Sequence, residues 1–134
     1  MSYIHTVCVI DDNEVYQFIM KTAIQKISGN IQVVKYMNGE DAFVAFEKMI
    51  ASQERLPDLV LLDINMPIMD GWQFMDAFSE LAPEIKNTTS IYMTTSSLEA
   101  SDATKAKEYI DIKGFLCKPI ELSALSNILK GGEN

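Results

Sequence analysis

Leu59-Val60-Leu61-Leu62-Asp63-Ile64-Asn65-Met66-Pro67-Ile68-Met69-Asp70-Gly71 decides the fold. Its first four residues are apolar without alternation. That pattern suits a strand covered on both faces, as in the middle of a parallel sheet. Asp63 closes the run, and Pro67 and Gly71 punctuate the loop after it. Phe74, Phe78 and Leu81 then mark one face of a helix.

The same strand-then-helix grammar repeats on both sides. Upstream, Thr6-Val7-Cys8-Val9-Ile10 is a β-branched strand ending at Asp11-Asp12. From Asn13 to Ile27, Val15, Phe18, Ile19, Ala23 and Ile27 recur at helical spacing, and Ser28-Gly29-Asn30 ends the helix. Ile31 to Met37 reads as a second strand with Asn38-Gly39 as its turn. Ala42, Ala45, Phe46, Met49 and Ile50 form the face of the next helix. Downstream, Ile91-Tyr92-Met93-Thr94 is a fourth strand. Ser97 to Tyr109 is a weaker helix with a small face of Ala100, Ala103 and Thr104. Gly114-Phe115-Leu116-Cys117 is a fifth strand, and Leu122, Leu125, Ile128 and Leu129 mark a last helix before a short tail at 131–134.

Five βα units without repeat or linker imply a single domain over 1–134, with a core from about 5 to 130. The expected fold is α/β: a flavodoxin-like (βα)5 doubly wound parallel sheet in strand order 2-1-3-4-5. Strands one and three then lie side by side at the topological switch point. Ligands of such sheets bind there, outside the carboxyl ends of the strands.

The formal net charge of -8 disfavours nucleic acid, whose phosphates call for Lys and Arg. No apolar run approaches the roughly 20 residues that span a bilayer. The N-terminus lacks a basic region followed by an apolar stretch, so no signal peptide is read and a cytoplasmic location is expected. Cys8 and Cys117 both sit in apolar segments and read as small buried hydrophobes. His5 is the only histidine and has no partner for a metal site.

The strand ends carry the chemistry. Strand one ends in Asp11-Asp12, strand three in Asp63, strand four in Thr94-Thr95-Ser96-Ser97, and strand five in Lys118-Pro119. A parallel sheet points all of these at one rim. Clustered carboxylates raise one another's pKa, and a hard cation relieves the repulsion. Oxygen ligands with room for water suit Mg²⁺. One carboxylate can then act as a nucleophile toward phosphorus, while an ammonium and a hydroxyl meet the phosphoryl oxygens. Each motif alone has a plainer reading, since Asp, Thr and Ser after a strand commonly cap the next helix. Their occurrence together at four strand ends outweighs it.

This set resembles the receiver domain of bacterial two-component response regulators, of the chemotaxis type, over the whole chain. The resemblance rests on Asp11-Asp12, on Leu61 to Gly71, on the strand-four hydroxyl and on Phe115-Leu116-Cys117-Lys118-Pro119. It implies Asp63 as phosphoryl acceptor and Asp12 as direct Mg²⁺ ligand, with Asp11 acting nearby through water and the main-chain carbonyl of Asn65 completing the set. It also implies Thr95 as switch hydroxyl, Lys118 as its partner on the phosphoryl group, Phe115 as the aromatic switch position, and a cis Lys118–Pro119 bond. Thr94 stands where the family usually has an apolar residue, which leaves Thr94 as an alternative switch.

The implied function is a stand-alone phosphorelay regulator without an effector domain. It would catalyse only its own phosphorylation and dephosphorylation. Its donor would be a histidine kinase or a histidine phosphotransfer protein. Its output would be protein contact through the face of the fourth helix, fifth strand and fifth helix, with no nucleic acid and no membrane insertion. The alternatives are a small-molecule phosphatase or phosphotransferase using an Asp nucleophile, and an interaction module independent of phosphorylation. Haloacid-dehalogenase-type phosphatases, which the first alternative resembles, carry a second acid two residues after the nucleophile, where this chain has Asn65.

Overall fold

The apolar run of the deciding stretch is strand β3 (Leu59–Asp63), with all five residues buried. In the computed structural model, which describes residues 4–85 and 89–130, it is the middle strand of five. Strands β1 (Thr6–Ile10) and β4 (Ser90–Thr95) flank it. Strand β2 (Gln32–Tyr36) lies beyond β1, and β5 (Ile112–Cys117) lies beyond β4. Every pairing is parallel, in the expected order 2-1-3-4-5. The helices are α1 (Glu14–Ile27), α2 (Gly39–Ala51), α3 (Gly71–Ile85), α4 (Ala100–Ala106) and α5 (Leu122–Leu129). The tail at 131–134 and the first three residues lie outside the described residues.

Alternation along the strands builds two cores. Cys8, Ile10, Val60, Leu62 and Met93 face Ala42 and Phe46 of α2 and Phe74 and Phe78 of α3. Val7, Val9, Leu59 and Leu61 face Met20 and Ile24 of α1 and Leu125, Ile128 and Leu129 of α5. The residues after the strands inherit this parity. Asp11, Asp63 and Thr94 continue the α1/α5 side, whereas Thr95 continues the Met93 side, where Phe115 also packs.

Helix α1 is turned from its expected orientation. Val15, Phe18 and Ile19 are 69%, 71% and 55% exposed, and the buried face is Gln17, Met20 and Ile24. The cause is Gln17. Its Nε2 donates to the carbonyls of Val9 (2.9 Å), Asp11 (3.1 Å) and Tyr36 (3.0 Å), at the ends of β1 and β2. The Tyr36 carbonyl also accepts from Asp11 N at 3.1 Å, so the amide ties the ends of β1 and β2 together, and it takes the core position from an apolar neighbour.

Other readings shift less. Asn38-Gly39 is a helix cap rather than a free turn, because the Asn38 side chain accepts from Asp41 N at 2.8 Å. Helix α4 is shorter than expected: Ala100, Ala103 and Thr104 are exposed and Ala106 is its buried residue. Leu122 is exposed at the start of α5. Cys8 is buried as expected, but Cys117 is exposed, being the last residue of the edge strand β5. The Lys118–Pro119 bond is cis.

Gly71 sets how closely α3 approaches the end of β3. A Cβ there would lie 2.7 Å from the Asp63 carbonyl oxygen and 2.9 Å from Ile64 Cα, both main-chain atoms. Only glycine permits that contact, which Gly71 N closes on Ile64 O at 2.8 Å.

Candidate functional site

Three buried strand ends meet at the rim above β1, β3 and β4. Asp11 and Asp63 are 1% and 5% exposed, and Thr94 and Thr95 are buried beside them. Asp12 is exposed. Among the described residues, Asp11, Asp12 and Asp63 offer carboxylate oxygens that all lie within 4.8 Å of one another. Lys118 reaches in from the end of β5, with Nζ 2.6 Å from Asp11 Oδ2 and 3.5 Å from Asp63 Oδ1.

The plain capping reading fails for both aspartates at the end of β1. The N-cap of α1 is Asn13, whose side chain accepts from Tyr16 N at 2.9 Å. Asp11 Oδ1 accepts from Asn13 N at 2.9 Å, which holds the carboxylate in the rim. Asp63 Oδ1 accepts from Asn65 N at 3.4 Å. Burial, then the charge of Asp11, pushes the Asp63 carboxyl up to about 6, against the opposing pull of Lys118 and Asn65 N. Its carboxylate is therefore available at neutral pH, although the environment resists it.

The one contacting ammonium, Lys118, meets two of the three acids, Asp11 and Asp63, and all the acids' donors are oxygen. One acid is exposed, which leaves water access. That donor set fits a small hard cation such as Mg²⁺ and offers no soft ligand for a thiophilic metal.

The two threonines of β4 point to opposite sides. Thr95 Oγ1 donates to Ser97 O at 3.2 Å and accepts from Ser97 N at 3.1 Å. Thr95 thus lies at the rim with its hydroxyl committed to the following loop, on the side where Phe115 packs. Thr94 faces the α1 side, beside the Tyr16 hydroxyl.

Tyr16 escaped the sequence reading. Lys118 Nζ sits over its ring, 4.4 Å from the centroid. The phenol hydroxyl is buried and makes no hydrogen bond of good geometry, so the adjacent Thr94 hydroxyl is only a weak polar contact. Burial, then the charges of Asp11 and Asp63, drives its pKa well above the ordinary phenol range, with Thr94 opposing. The one available signal was Thr94 itself, a hydroxyl where the family usually has an apolar side chain.

A doubly wound parallel sheet with this acid cluster and lysine at its switch point defines a CheY-like receiver. The chain belongs to the response regulator receiver domain family, whose model matches residues 7–130. It is 27% identical over 124 residues to the autoinducer 1 sensor kinase/phosphatase LuxN of Vibrio campbellii, covering 92% of this chain and 13% of LuxN. It is 30% identical over 115 residues to a protein-glutamate methylesterase/protein-glutamine glutaminase 2 of Pseudomonas aeruginosa, covering 85% of this chain and 30% of that protein. The chain therefore spans less than a third of either relative. A two-component response regulator from Cytophaga hutchinsonii superposes with a TM-score of 0.85 at 27% identity, covering 96% of each chain. Receiver domains interact with histidine kinases and phosphotransfer proteins. No described helix is long and apolar enough to cross a membrane.

Proposed function

We propose that this receiver accepts a phosphoryl group from a phosphohistidine donor onto Asp63 and uses it to switch a protein-interaction surface. The observation that carries the reading is Asp63 itself: a buried carboxylate with Lys118 at 3.5 Å and two further acids within 4.8 Å. Asp11, Asp12, Asp63 and the Asn65 carbonyl would hold Mg²⁺, which when bound neutralises charge on the phosphoryl oxygens. An Asp63 oxygen attacks phosphorus in line, the P–N bond of the donor breaks, and the imidazole leaves with its electron pair. Lys118 then pairs with a phosphoryl oxygen.

Thr95 is the proposed switch rather than Thr94, because it shares a side with Phe115. Leaving Ser97 for the phosphoryl group would vacate space into which Phe115 turns. Helix α4 buries only Ala106, so little apolar contact opposes its movement. The output surface is the face of α4, β5 and α5, bordered by the exposed Leu98, Ile110 and Leu122. The donor must cover the rim to reach Asp63. The exposed Val15, Phe18 and Ile19 begin just after Asp11-Asp12 and offer it an apolar landing face.

The test is labelling with acetyl phosphate and Mg²⁺. The wild type should acquire an acid-stable, base-labile phosphoryl group, and Asp63→Asn should acquire none. Undiminished labelling of Asp63→Asn would place the acceptor elsewhere and sink the reading.

A further inference from the structure

Lys118 is gripped from three sides, and only two of them are anionic. Asp11 Oδ2 lies 2.6 Å from its ammonium and Asp63 Oδ1 lies 3.5 Å away. The third side is the ring of Tyr16. A lysine on a flexible four-carbon stem follows its strongest partner, which here is Asp11, not the acceptor. Phosphoryl transfer requires the ammonium to serve the oxygens on Asp63 instead.

We propose that the ring of Tyr16 is a positioning element for Lys118, keeping the ammonium poised between Asp11 and Asp63 so that it meets the phosphoryl oxygens. The inference rests on the phosphorylation of Asp63 proposed above.

An aromatic face suits the task. Its attraction for a cation extends to about 6 Å from the centroid and does not demand one hydrogen-bond direction. The ammonium can therefore slide from Asp11 toward the acceptor without losing its third partner. The contact is also largely withdrawn from water, since the Lys118 side chain is only 21% exposed, and desolvation strengthens it. The ring is itself firmly placed. Tyr16 N is held by the Asn13 cap, Asn13 N by Asp11, and the ring packs on the core between α1 and α5. The turn that orients the acids thus also orients the ring. The hydroxyl is not the working part, because it makes no hydrogen bond of good geometry.

The test compares Tyr16→Leu with Tyr16→Phe in the full chain, by the rate of Asp63 labelling from acetyl phosphate at saturating Mg²⁺. Tyr16→Leu should slow labelling by about two- to thirty-fold, the range that a cation–π contact of this kind supports. Tyr16→Phe, which keeps the ring, should restore most of the rate. In a Lys118→Met background the Tyr16→Leu penalty should vanish, which a general packing defect would not do. The upfield ring-current shift of the Lys118 methylene protons should persist in Tyr16→Phe and disappear in Tyr16→Leu. Three results overturn the role of the ring: an unslowed Tyr16→Leu, equal losses in Leu and Phe, or an undiminished penalty without Lys118. A wild type that shows the ring-current shift but takes no label on Asp63 instead overturns the underlying phosphorylation reading, and the role of the ring in transfer falls with it.

Discussion

At the scale of single residues, closeness around Asp63 matters more than charge alone. Gly71 lets the first turn of α3 lie against the main chain of Asp63 and Ile64. Alanine there would drive a Cβ to within 2.7 Å of the Asp63 carbonyl oxygen, which neither backbone can easily yield. Gly71→Ala should therefore cost about 1–3 kcal/mol, read by chemical denaturation. It should also disturb labelling of Asp63, because the loop from Asp63 to Gly71 must shift as one piece. An unchanged denaturation midpoint would show that the contact is looser than the structure has it. Ile68, in the same loop, sits at φ 70° with its side chain 75% exposed. That is a strained conformation for a β-branched residue, maintained beside the rim without any burial in return.

At the scale of elements, α1 and α4 are held to the sheet in different ways, and each belongs to a surface proposed above. Helix α1 is anchored through Gln17 and the Asn13 cap, so its exposed apolar face is presented by a fixed support. Phe18 is 71% exposed, so Phe18→Ala should leave the melting temperature almost unchanged. It should slow phosphoryl transfer from a histidine phosphotransfer protein by about five-fold or more, as expected for an aromatic anchor at an interface. Transfer at the wild-type rate would remove α1 from the donor surface. Helix α4 is held differently. Tyr109, just after it, tilts against Trp72 at 5.8 Å between centroids and donates to Asp76 at 2.6 Å, while Lys105 lies 5.0 Å over the Trp72 ring. These polar and aromatic ties to α3 stand in for the apolar face that α4 lacks, and Trp72 adjoins Gly71 at the end of the loop from Asp63.

At the scale of the whole molecule, the site opposes the stability of the metal-free fold. The Asp63 carboxyl is raised from 3.8 to about 6. A raised acid stabilises the fold while it is protonated, and that contribution is lost as pH climbs through the folded value. The melting temperature of metal-free wild type should therefore fall, relative to Asp63→Asn, between about pH 4 and pH 6. Adding Mg²⁺ at pH 7.5 should raise the wild type more than Asp63→Asn, because binding to the folded state alone adds stability. Parallel melting curves of the two proteins across pH, with and without Mg²⁺, would mean that the acid cluster carries no such penalty.

Local chemistry was enough to reveal the five βα units and the rim residues. Strand runs, caps and breakers are short-range signals, and parallel order brings every strand's carboxyl end to one side. Asp11, Asp12, Asp63 and Lys118 could thus be assembled in thought before any coordinates, and the structure brings them together. For the switch hydroxyl the sequence left Thr94 and Thr95 both open; strand parity puts Thr94 toward Tyr16 and Thr95 on the side of Phe115, which is what the proposal for Thr95 rests on. The stripe of α1 was misread for a related reason. Periodicity finds a run of apolar residues, but Gln17 takes the core position, where its amide donates to three carbonyls at the ends of β1 and β2. The Tyr16–Lys118 contact was invisible to sequence altogether. It joins the first helix to the end of the last strand, and only the packing of α1 against the sheet decides that an aromatic ring comes to lie under the ammonium.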